Sequence, residues 1–285
     1  MHEKTVAAFA ACVALSAVQP SFAACPSPAT VAALASAWQA MTPATGIDPA
    51  MSMADAMCGQ ALLHAELGRT QGRIVGYKAG LTNPAVQKRF GYDAPVRGAL
   101  FENMILRDGA EVPARYGARA VFEADMIVTV KDEGINEART PAEVLQHLSA
   151  IAPFIELPDL VLDPKEALNG PVIAAINVGA RLGVLGTGFA PAPEHLGQLA
   201  TMSVVVRDQE GKELARGPGS AILDHPLNAV IWLAQDLARE GKRLKAGELL
   251  SLGSFSPLLP PKPGLAVTVT YEGLAGNPAV GVRFK

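Results

Sequence analysis

The stretch Val75–Val130 decides both how this chain folds and where its chemistry lies. It contains a lysine between two glycines and, later, two acids at the head of a strand, in the segments Gly76-Tyr77-Lys78-Ala79-Gly80-Leu81-Thr82, Arg97-Gly98-Ala99-Leu100-Phe101-Glu102-Asn103-Met104 and Glu123-Ala124-Asp125. Alternate residues of a strand share one face, so the two carboxylates point the same way. Together with the lysine they predict an oxygen-ligated metal ion beside a cation, an arrangement suited to a small anionic substrate.

Helices are predicted mainly on the N-terminal side of this stretch. Apolar residues recur at helical spacing over Thr30–Gln39 and Met53–Leu67. The segment Arg73–Lys78 has the character of a short strand, and Asn83-Pro84 begins a short helix. Up to about residue 95 we therefore expect a helical cap followed by one strand.

After Gly98 the pattern is that of a β-rich domain with helical insertions. β-branched and alternating segments predict strands over 120–130, 152–157, 202–208, 213–217, 248–254, 266–271 and 279–284, and two helices over 140–150 and 226–237. The sequence therefore predicts an α+β fold. In it, residues 24–95 form the helical cap and first strand, and residues 96–285 form a β-rich domain.

The composition excludes one class of partner. Hydrophobic residues make up 49% of the 285 residues, charged residues make up 18%, and the net charge is −3 at pH 7. A nucleic-acid-binding protein would carry a basic surface, which this balance does not provide. Aromatic residues contribute only 5%, so the core must be built from Ala, Val, Leu and Ile. We expect a globular protein with no nucleic-acid partner.

The N-terminus has the pattern of a cleavable signal peptide. The apolar run Val6–Val18 is followed by small residues, Ser21 and Ala23, at the −3 and −1 positions of a cleavage site. We expect residues 1–23 to be removed and the protein to be periplasmic or secreted. The run is too short to form a membrane span. The alternatives are a buried N-terminal helix and, less favoured, a lipid anchor at Cys25.

The predicted signal peptide also decides which of the three cysteines remain in the mature protein. Cys12 would leave with the signal peptide, whereas Cys25 and Cys58 would stay in an oxidising compartment. These two could form a disulfide that ties the new N-terminus to the first long helix, or they could remain two unpaired thiols. The sequence does not show whether their Cβ atoms approach.

Carboxylates are the first candidates for chemistry. Glu123 and Asp125 face one way in an apolar strand, which is costly unless a cation or hydrogen-bond donors compensate their charge. Glu156 heads another apolar strand and could supply a third carboxylate for a hard divalent cation. The alternative is that Glu123 and Asp125 lie on a solvated edge strand.

Lys78 and His225 are the candidates for proton transfer. Lys78 lies between Gly76 and Gly80, where the backbone can approach a ligand closely. Near a metal it could act as an acid or base, or hold a carboxylate as a cation. The alternative is a surface lysine whose stem packs on apolar neighbours. His225 precedes Pro226 at the start of the second long helix, where a histidine is more often a cap or packing residue.

Taken in order, these motifs resemble the hydratase/decarboxylase branch of the fumarylacetoacetate hydrolase superfamily, which includes the 2-keto-4-pentenoate hydratases and the 4-oxalocrotonate decarboxylases. The resemblance extends from about Asp55 to the C-terminus. Besides the glycine–lysine segment and Phe122-Glu123-Ala124-Asp125, the matching segments are Gly98-Ala99-Leu100-Phe101-Glu102-Asn103-Met104, Pro153-Phe154-Ile155-Glu156, Asp224-His225-Pro226-Leu227-Asn228-Ala229-Val230-Ile231-Trp232-Leu233-Ala234, and Ala246-Gly247-Glu248 through Gly253-Ser254.

The resemblance implies a mixed β-roll built around curled sheets, usually assembled as a homo-oligomer. It implies Mg²⁺ or Mn²⁺ held by three carboxylates and a catalytic lysine, with three further residues contacting the substrate. In this sequence the metal ligands are Glu123, Asp125 and Glu156, the catalytic residue is Lys78, and the substrate contacts are Gln60, Asn177 and His225.

The implied activity is that of a lyase. A hydratase of this branch adds water to a small 2-hydroxy-dienoate, or its 2-oxo acid form, through a metal-stabilised enolate. Decarboxylation of a 2-oxo acid passes through the same enolate and is the first alternative. A non-catalytic exported protein that binds an oxo acid and an enzyme that hydrolyses the C–C bond of an acylpyruvate are the others.

Two departures from the family pattern concern the substrate. Members often carry an Asp-Asn-x-Ser-Ser-like segment where this chain has Ile176-Asn177-Val178-Gly179-Ala180-Arg181. The asparagine is kept, the acid and both hydroxyls are missing, and the arginine is new. The predicted export is the second departure, because enzymes of this branch ordinarily work in the cytoplasm.

Overall fold

The computed structural model describes residues 25–285 of the chain. The predicted signal peptide, residues 1–23, lies outside the described residues and stays a prediction. The helices are α1 (Pro28–Ala40), α2 (Met53–Gln71), α3 (Pro84–Arg89), α4 (Pro141–Gln146), α5 (Gly170–Ala175), α6 (His195–Thr201) and α7 (Asn228–Arg239). The strands are β1 (Ile74–Gly80), β2 (Val96–Phe101), β3 (Ile105–Arg107), β4 (Ala110–Val112), β5 (Glu123–Val130), β6 (Leu148–Leu157), β7 (Leu182–Leu185), β8 (Ser203–Asp208), β9 (Glu213–Pro218), β10 (Leu249–Ser251), β11 (Ala266–Glu272) and β12 (Ala279–Phe284).

The strands form two sheets. The larger sheet has the order β2-β1-β10-β5-β6-β7-β3, and it is mixed because β1 runs parallel to β10 and β3 runs parallel to β7. The smaller sheet has the order β4-β12-β11-β8-β9. β8 and β9, which match the strands predicted over 202–208 and 213–217, form an antiparallel hairpin. The predicted α+β, strand-rich fold is confirmed.

The N-terminal helices start where local chemistry supports a start. The Ser52 side chain accepts a hydrogen bond from the Asp55 N–H, and the Asp55 carboxylate accepts one from Ser52, so the two form a capping box at the head of α2. The side chain of Asn83 accepts from the Ala85 N–H at the head of α3, whose first residue is Pro84. All three predicted N-terminal helices are confirmed.

Two predicted elements have different lengths in the structure. The helix predicted over 140–150 ends at Gln146, because strand pairing takes over from Leu148, which lies opposite Val130 of β5. The strand predicted over 248–254 shrinks to Leu249–Ser251. It stops because Gly253 turns the chain at a φ of +109°, a conformation that an L side chain rarely adopts.

A large apolar core lies between the two sheets and under α7. Val230, Leu233 and Leu237 of α7 are fully buried in it. Tyr271 of the smaller sheet reaches across, donating a hydrogen bond to the Asp125 carbonyl and accepting one from the Phe154 N–H at 3.1 Å. These bonds tie the smaller sheet to the strand pair that carries the acidic residues.

The helical cap has a core of its own. Trp38 of α1 and Leu63 of α2 pack in one cluster with Phe101 of β2. A disulfide joins Cys25 to Cys58, with 5.4 Å between their Cα atoms, so the first described residue is fixed to α2. Of the two alternatives left open by the sequence, the structure has the disulfide. None of the helices within residues 25–285 is long and apolar enough to cross a membrane.

Candidate active site

The pairing of β5 with β6 brings the three predicted metal ligands to one face of the larger sheet. Glu123 of β5 lies directly opposite Glu156 of β6. Asp125 lies two residues further along β5, so its side chain emerges on the same face. Neither strand is an edge strand, because β5 lies between β10 and β6 and β6 lies between β5 and β7. The alternative of a solvated edge strand is thereby excluded.

Asp125 is completely buried and is surrounded by hydrogen-bond donors. One carboxylate oxygen accepts from the backbone N–H groups of Met126, Leu252 and Gly253, and the other accepts from the Ser251 hydroxyl. Burial, followed by repulsion from Glu156, raises the pKa of Asp125 to about 8, although the Ser251 and backbone hydrogen bonds oppose the shift.

Lys78 lies in β1 and is only 2% exposed. Its Nζ donates a hydrogen bond to Glu156 Oε1, with which it forms a buried ion pair, and a second one to the Val178 carbonyl at 2.9 Å. The alternative of a surface lysine is therefore wrong. A buried ammonium held by two acceptors is a fixed cation beside the carboxylates.

The glycines around Lys78 allow other parts of the protein to pack closely against β1. A Cβ atom on Gly76 would overlap the Leu249 backbone of β10, and one on Gly80 would overlap the Val178 side chain. The hypothesis that these glycines let a ligand approach is therefore corrected for Gly76, whereas Gly80 also lines the cavity described below. They allow neighbouring backbone and a neighbouring turn to approach β1 closely, and this approach fixes where Lys78 lies.

A cavity of about 440 Å³ opens beside this acidic face, although Asp125 and Glu156 do not line it. Lys78 and the partly buried Glu123 both line it. Most of its lining is apolar and comes from Leu81, Val86, Phe90, Pro158, Leu160, Leu168, Ile173, Ile176, Val178, Phe255 and Leu258. Its polar side chains include the hydroxyls of Thr82, Ser254 and Ser256. The cavity is suited to a small molecule with a charged head and an apolar tail.

The charge balance of the site tests whether a metal would fit. Burial, then repulsion from Glu156, raises the pKa of Glu123 well above its ordinary value, and Lys78 only partly opposes this shift. Three ionised carboxylates around one ammonium would carry an excess of negative charge, and a divalent cation would neutralise this excess. As the side chains stand within residues 25–285, no three His, Cys, Asp or Glu residues form a metal-binding group. The charge of the site and its carboxylate oxygens fit a divalent cation. In the structure, the Asp125 carboxylate accepts hydrogen bonds from the backbone, and Glu156 pairs with Lys78.

The three predicted substrate contacts do not line the cavity. The Gln60 amide donates to the carbonyls of Arg97 and Ala174, at 2.7 Å each, and so fastens α2 to β2 and α5. His225 accepts from the Leu227 N–H through one ring nitrogen and contacts the Leu196 carbonyl through the other. Burial lowers the pKa of His225. These residues hold the fold together around the site.

Asn177, the third of them, is buried behind the cavity wall. Its side chain pairs with the backbone of Ala99, accepting from the N–H at 2.7 Å and donating to the carbonyl at 3.0 Å. Its neighbours Ile176, Val178 and Gly179 line the cavity. The segment that lacks the family's acid and hydroxyls therefore forms part of the wall, and it makes that wall apolar.

Arg181, the other departure in this segment, has a structural role. Its guanidinium donates to the Trp38 carbonyl at 2.7 Å, lies over the Trp38 ring at 4.3 Å, and pairs with Asp159 at 3.3 Å. It anchors α1 to the rest of the fold and does not line the cavity.

Sequence reasoning missed two groups of contributors. Ser251 and the backbone of Leu252 and Gly253 hold Asp125 in place, and the sequence indicates Gly253 only through its place in a family segment. The Val178 carbonyl, which holds Lys78, is a backbone atom, so no side-chain motif could point to it. The run Asn177-Val178-Gly179, which lies next to apolar residues, is the sequence feature that could have indicated this contact.

No family model matches the chain. The curated 2-keto-4-pentenoate hydratase of Paraburkholderia xenovorans (strain LB400) is 32% identical over 219 residues, which cover 76% of this chain and 79% of that protein. The curated 4-oxalocrotonate decarboxylase of Pseudomonas putida is 28% identical over 237 residues, which cover 83% and 87%. The solved structure of 4-oxalocrotonate decarboxylase from Pseudomonas putida G7, complexed with magnesium and adipate, has a TM-score of 0.80 at 25% identity and covers 90% of this chain and 97% of that chain. The chain therefore belongs to the hydratase/decarboxylase family of the fumarylacetoacetate hydrolase superfamily, together with the 2-keto-4-pentenoate hydratases.

Proposed function

We propose that the protein is a metal-dependent hydro-lyase that adds water to a small 2-hydroxy-dienoate. The name of its relatives, 2-keto-4-pentenoate hydratase, supports this activity. One observation carries the proposal. The buried Lys78–Glu156 ion pair stands beside Glu123 at a cavity that is otherwise mostly apolar. The carboxylate end of a substrate would lie near the Lys78 ammonium, and its hydrocarbon end would pack against the apolar wall.

A divalent cation, Mg²⁺ or Mn²⁺, is part of the proposal. Glu123, Asp125 and Glu156 would hold it. The decarboxylase neighbour complexed with magnesium supports the binding of a divalent cation. When bound, such a cation acts as a Lewis acid that favours the enolate form of the substrate.

Lys78 has the central role among the protein's own groups. Hydration moves the proton of the 2-hydroxyl to C5 of the dienoate, which leaves an oxo group at C2, and it adds the hydroxyl of water to C4 and the remaining proton of water to C3. Lys78 Nζ is a buried ammonium in the cavity lining, and it would donate a proton to C5 and then, as the amine, take up the proton that leaves the 2-hydroxyl. The hydroxyls of Thr82 and Ser254 line the same cavity and can hold the water molecule.

The apolar wall favours hydration over decarboxylation of a diacid. A substrate with a second carboxylate would place that charge against residues such as Leu160, Ile173 and Ile176, where it would lose its hydration. One observation favours the second candidate, a 2-oxo acid decarboxylase. The exposed Arg89 lines the cavity and could meet a second carboxylate, whereas the other arginine of the lining, Arg216, is already paired with Glu213 and Glu272.

Purified protein with Mg²⁺ or Mn²⁺ provides the test. Loss of the ultraviolet absorbance of 2-hydroxypenta-2,4-dienoate measures hydration, and carbon dioxide release from the corresponding diacid measures decarboxylation. We expect metal-dependent hydration that Lys78→Ala and Glu123→Ala abolish. Lys88→Ala, which removes an exposed lysine outside the cavity, should leave it unchanged.

Each other result contradicts the hydratase assignment in its own way. Carbon dioxide release without hydration, lost in Arg89→Ala, would make the protein a decarboxylase. Binding of metal and of an oxo acid without any turnover would make it an exported binding protein. Cleavage of an acylpyruvate would place it with the C–C hydrolases.

We further propose that the protein is exported and forms a homo-oligomer. The Cys25–Cys58 disulfide supports export, because disulfides persist in oxidising compartments. Fractionation of the source cells and mass determination in solution test these two proposals.

A further inference from the structure

A turn at residues 177–179 provides the second partner of Lys78. Asn177, Val178 and Gly179 all have left-handed backbone conformations, with φ values of 56°, 53° and 67°. Asparagine and glycine adopt this conformation readily, but a β-branched residue such as valine does so rarely. The strained residue, Val178, is the one whose carbonyl accepts the hydrogen bond from Lys78. Strain of this kind persists only where the surrounding structure enforces it.

Side-chain hydrogen bonds enforce the turn from behind. The Asn177 amide pairs with both backbone groups of Ala99 in β2, which lies beside β1. His64 of α2 places its Nε2 at 2.8 Å from the Asn177 side-chain oxygen. Because that oxygen accepts from the Ala99 N–H as well, it is an acceptor for both groups, and His64 is the donor. Burial, the largest influence, lowers the pKa of His64 to about 4, so the ring is neutral near pH 7 and the bond is between neutral groups.

Two glycines shape the surface against which the turn packs. A Cβ atom on Gly80 of β1 would overlap the Val178 side chain. One on Gly98 of β2 would lie 2.7 Å from the Asn177 carbonyl oxygen and 3.1 Å from Cγ of Lys78. The turn and the lysine stem are therefore packed directly on the bare backbone of these two strands.

We propose that the turn at residues 177–179 is a fixed carbonyl clamp that orients the Lys78 ammonium, and that His64 and Asn177 are positioning residues which hold this clamp. The proposal rests on the proposed function only for the role of Lys78 in proton transfer. Neither positioning residue lines the cavity, so each acts through the turn and not through the substrate.

The test uses His64→Leu, which removes the donor, and His64→Gln, whose amide nitrogen can restore it. His195→Leu is the control, because His195 is a buried histidine that is also hydrogen-bonded, to the Ala192 N–H, but lies outside the cavity. The first readout is the acylation rate of Lys78 in metal-free protein, measured by peptide mapping with Lys78→Ala as background. The second is kcat and KM with 2-hydroxypenta-2,4-dienoate and Mg²⁺.

We expect Lys78 to be acylated several-fold faster in His64→Leu. We also expect kcat to fall by about 10- to 100-fold with little change in KM, because a small misplacement of a catalytic group has effects of that size. His64→Gln should restore both quantities, and His195→Leu should change neither. Val178→Gly, which keeps the carbonyl but frees the turn, should also speed acylation and serves if His64→Leu does not fold.

Unchanged acylation in a folded His64→Leu or Val178→Gly variant would overturn the clamp. Equal changes in the leucine and glutamine variants would also overturn it, because they would show that packing and not the donor matters. Acylation is measured without metal or substrate, so the clamp can fail while the hydratase assignment stands, and the assignment can fail while the clamp stands.

Discussion

Burial moves the pKa values of His64 and Asp125 in opposite directions. It disfavours the charged form in both cases, so the pKa of the histidine falls to about 4 and that of the carboxyl group rises to about 8. At the scale of single residues the site is thus built from groups that ionise less readily than they would in water. The buried ion pair of the site is the one between Lys78 and Glu156.

The lowered pKa of His64 predicts a loss of stability in acid. The unfolded chain binds a proton at His64 below about pH 6.5 and the folded chain only near pH 4, so the contribution of this residue is complete above 6.5 and is lost as the pH falls towards 4. We expect the unfolding free energy of the wild type to drop by about 2 kcal/mol more than that of His64→Gln between pH 7 and 4.5. Urea denaturation at several pH values measures this difference, and parallel pH profiles would contradict it.

Repulsion among the carboxylates predicts a trade between stability and metal binding. Glu123 is disfavoured as a charged group by burial and by Glu156. Glu123→Gln should therefore stabilise the metal-free protein by about 0.5–2 kcal/mol and remove any rise in melting temperature caused by Mn²⁺. Thermal unfolding with and without Mn²⁺ measures both effects. A variant that is less stable without metal would contradict the repulsion at Glu123. A variant whose melting temperature still rises with Mn²⁺ would contradict the role of Glu123 as a metal ligand.

At the scale of elements, the acidic face and the lysine strand could be predicted from the sequence, but their surroundings could not. Alternation in β5 placed Glu123 and Asp125 on one face, because a two-residue period is a local property. The reason for the glycines in β1 was not accessible in this way. It depends on Leu249 and Val178, which lie far along the chain. Long-range packing of this kind leaves no local pattern.

The two kinds of glycine on the helix–strand unit at residues 53–80 predict opposite responses to alanine. Gly76→Ala would place a methyl group into the Leu249 backbone, so we expect a loss of at least about 3 kcal/mol or no soluble protein. Gly68→Ala lies inside α2, where the nearest atom is 3.9 Å away at Phe101, and should stabilise by about 0.5–1 kcal/mol. Urea denaturation of both variants checks the contrast, and a folded Gly76→Ala of native stability would contradict the close pairing of β1 and β10.

At the scale of the whole molecule, the order of motifs predicted the family and the fold, whereas the arrangement of cap, sheets and cavity needed coordinates. Gln60 illustrates the limit. Its place on the early helix was predicted, but its amide joins α2 to β2 and α5 and does not reach the cavity. The sequence also left the pairing of Cys25 with Cys58 open, because the approach of two cysteines is a property of the fold and not of their spacing.

The disulfide predicts a stability effect that is separate from activity. It closes a loop over a sequence separation of 33, so Cys25→Ser with Cys58→Ser should lower the unfolding free energy by about 2–4 kcal/mol. The end of α2 that carries His64 is also held by Leu63 and Leu67, which are buried against β2. We therefore expect kcat in the folded double variant to match the wild type. Urea denaturation and kinetics are measured with and without reductant, which should weaken only the wild type. A fall in kcat at a temperature where the variant is fully folded would mean that the disulfide also positions the clamp behind Lys78.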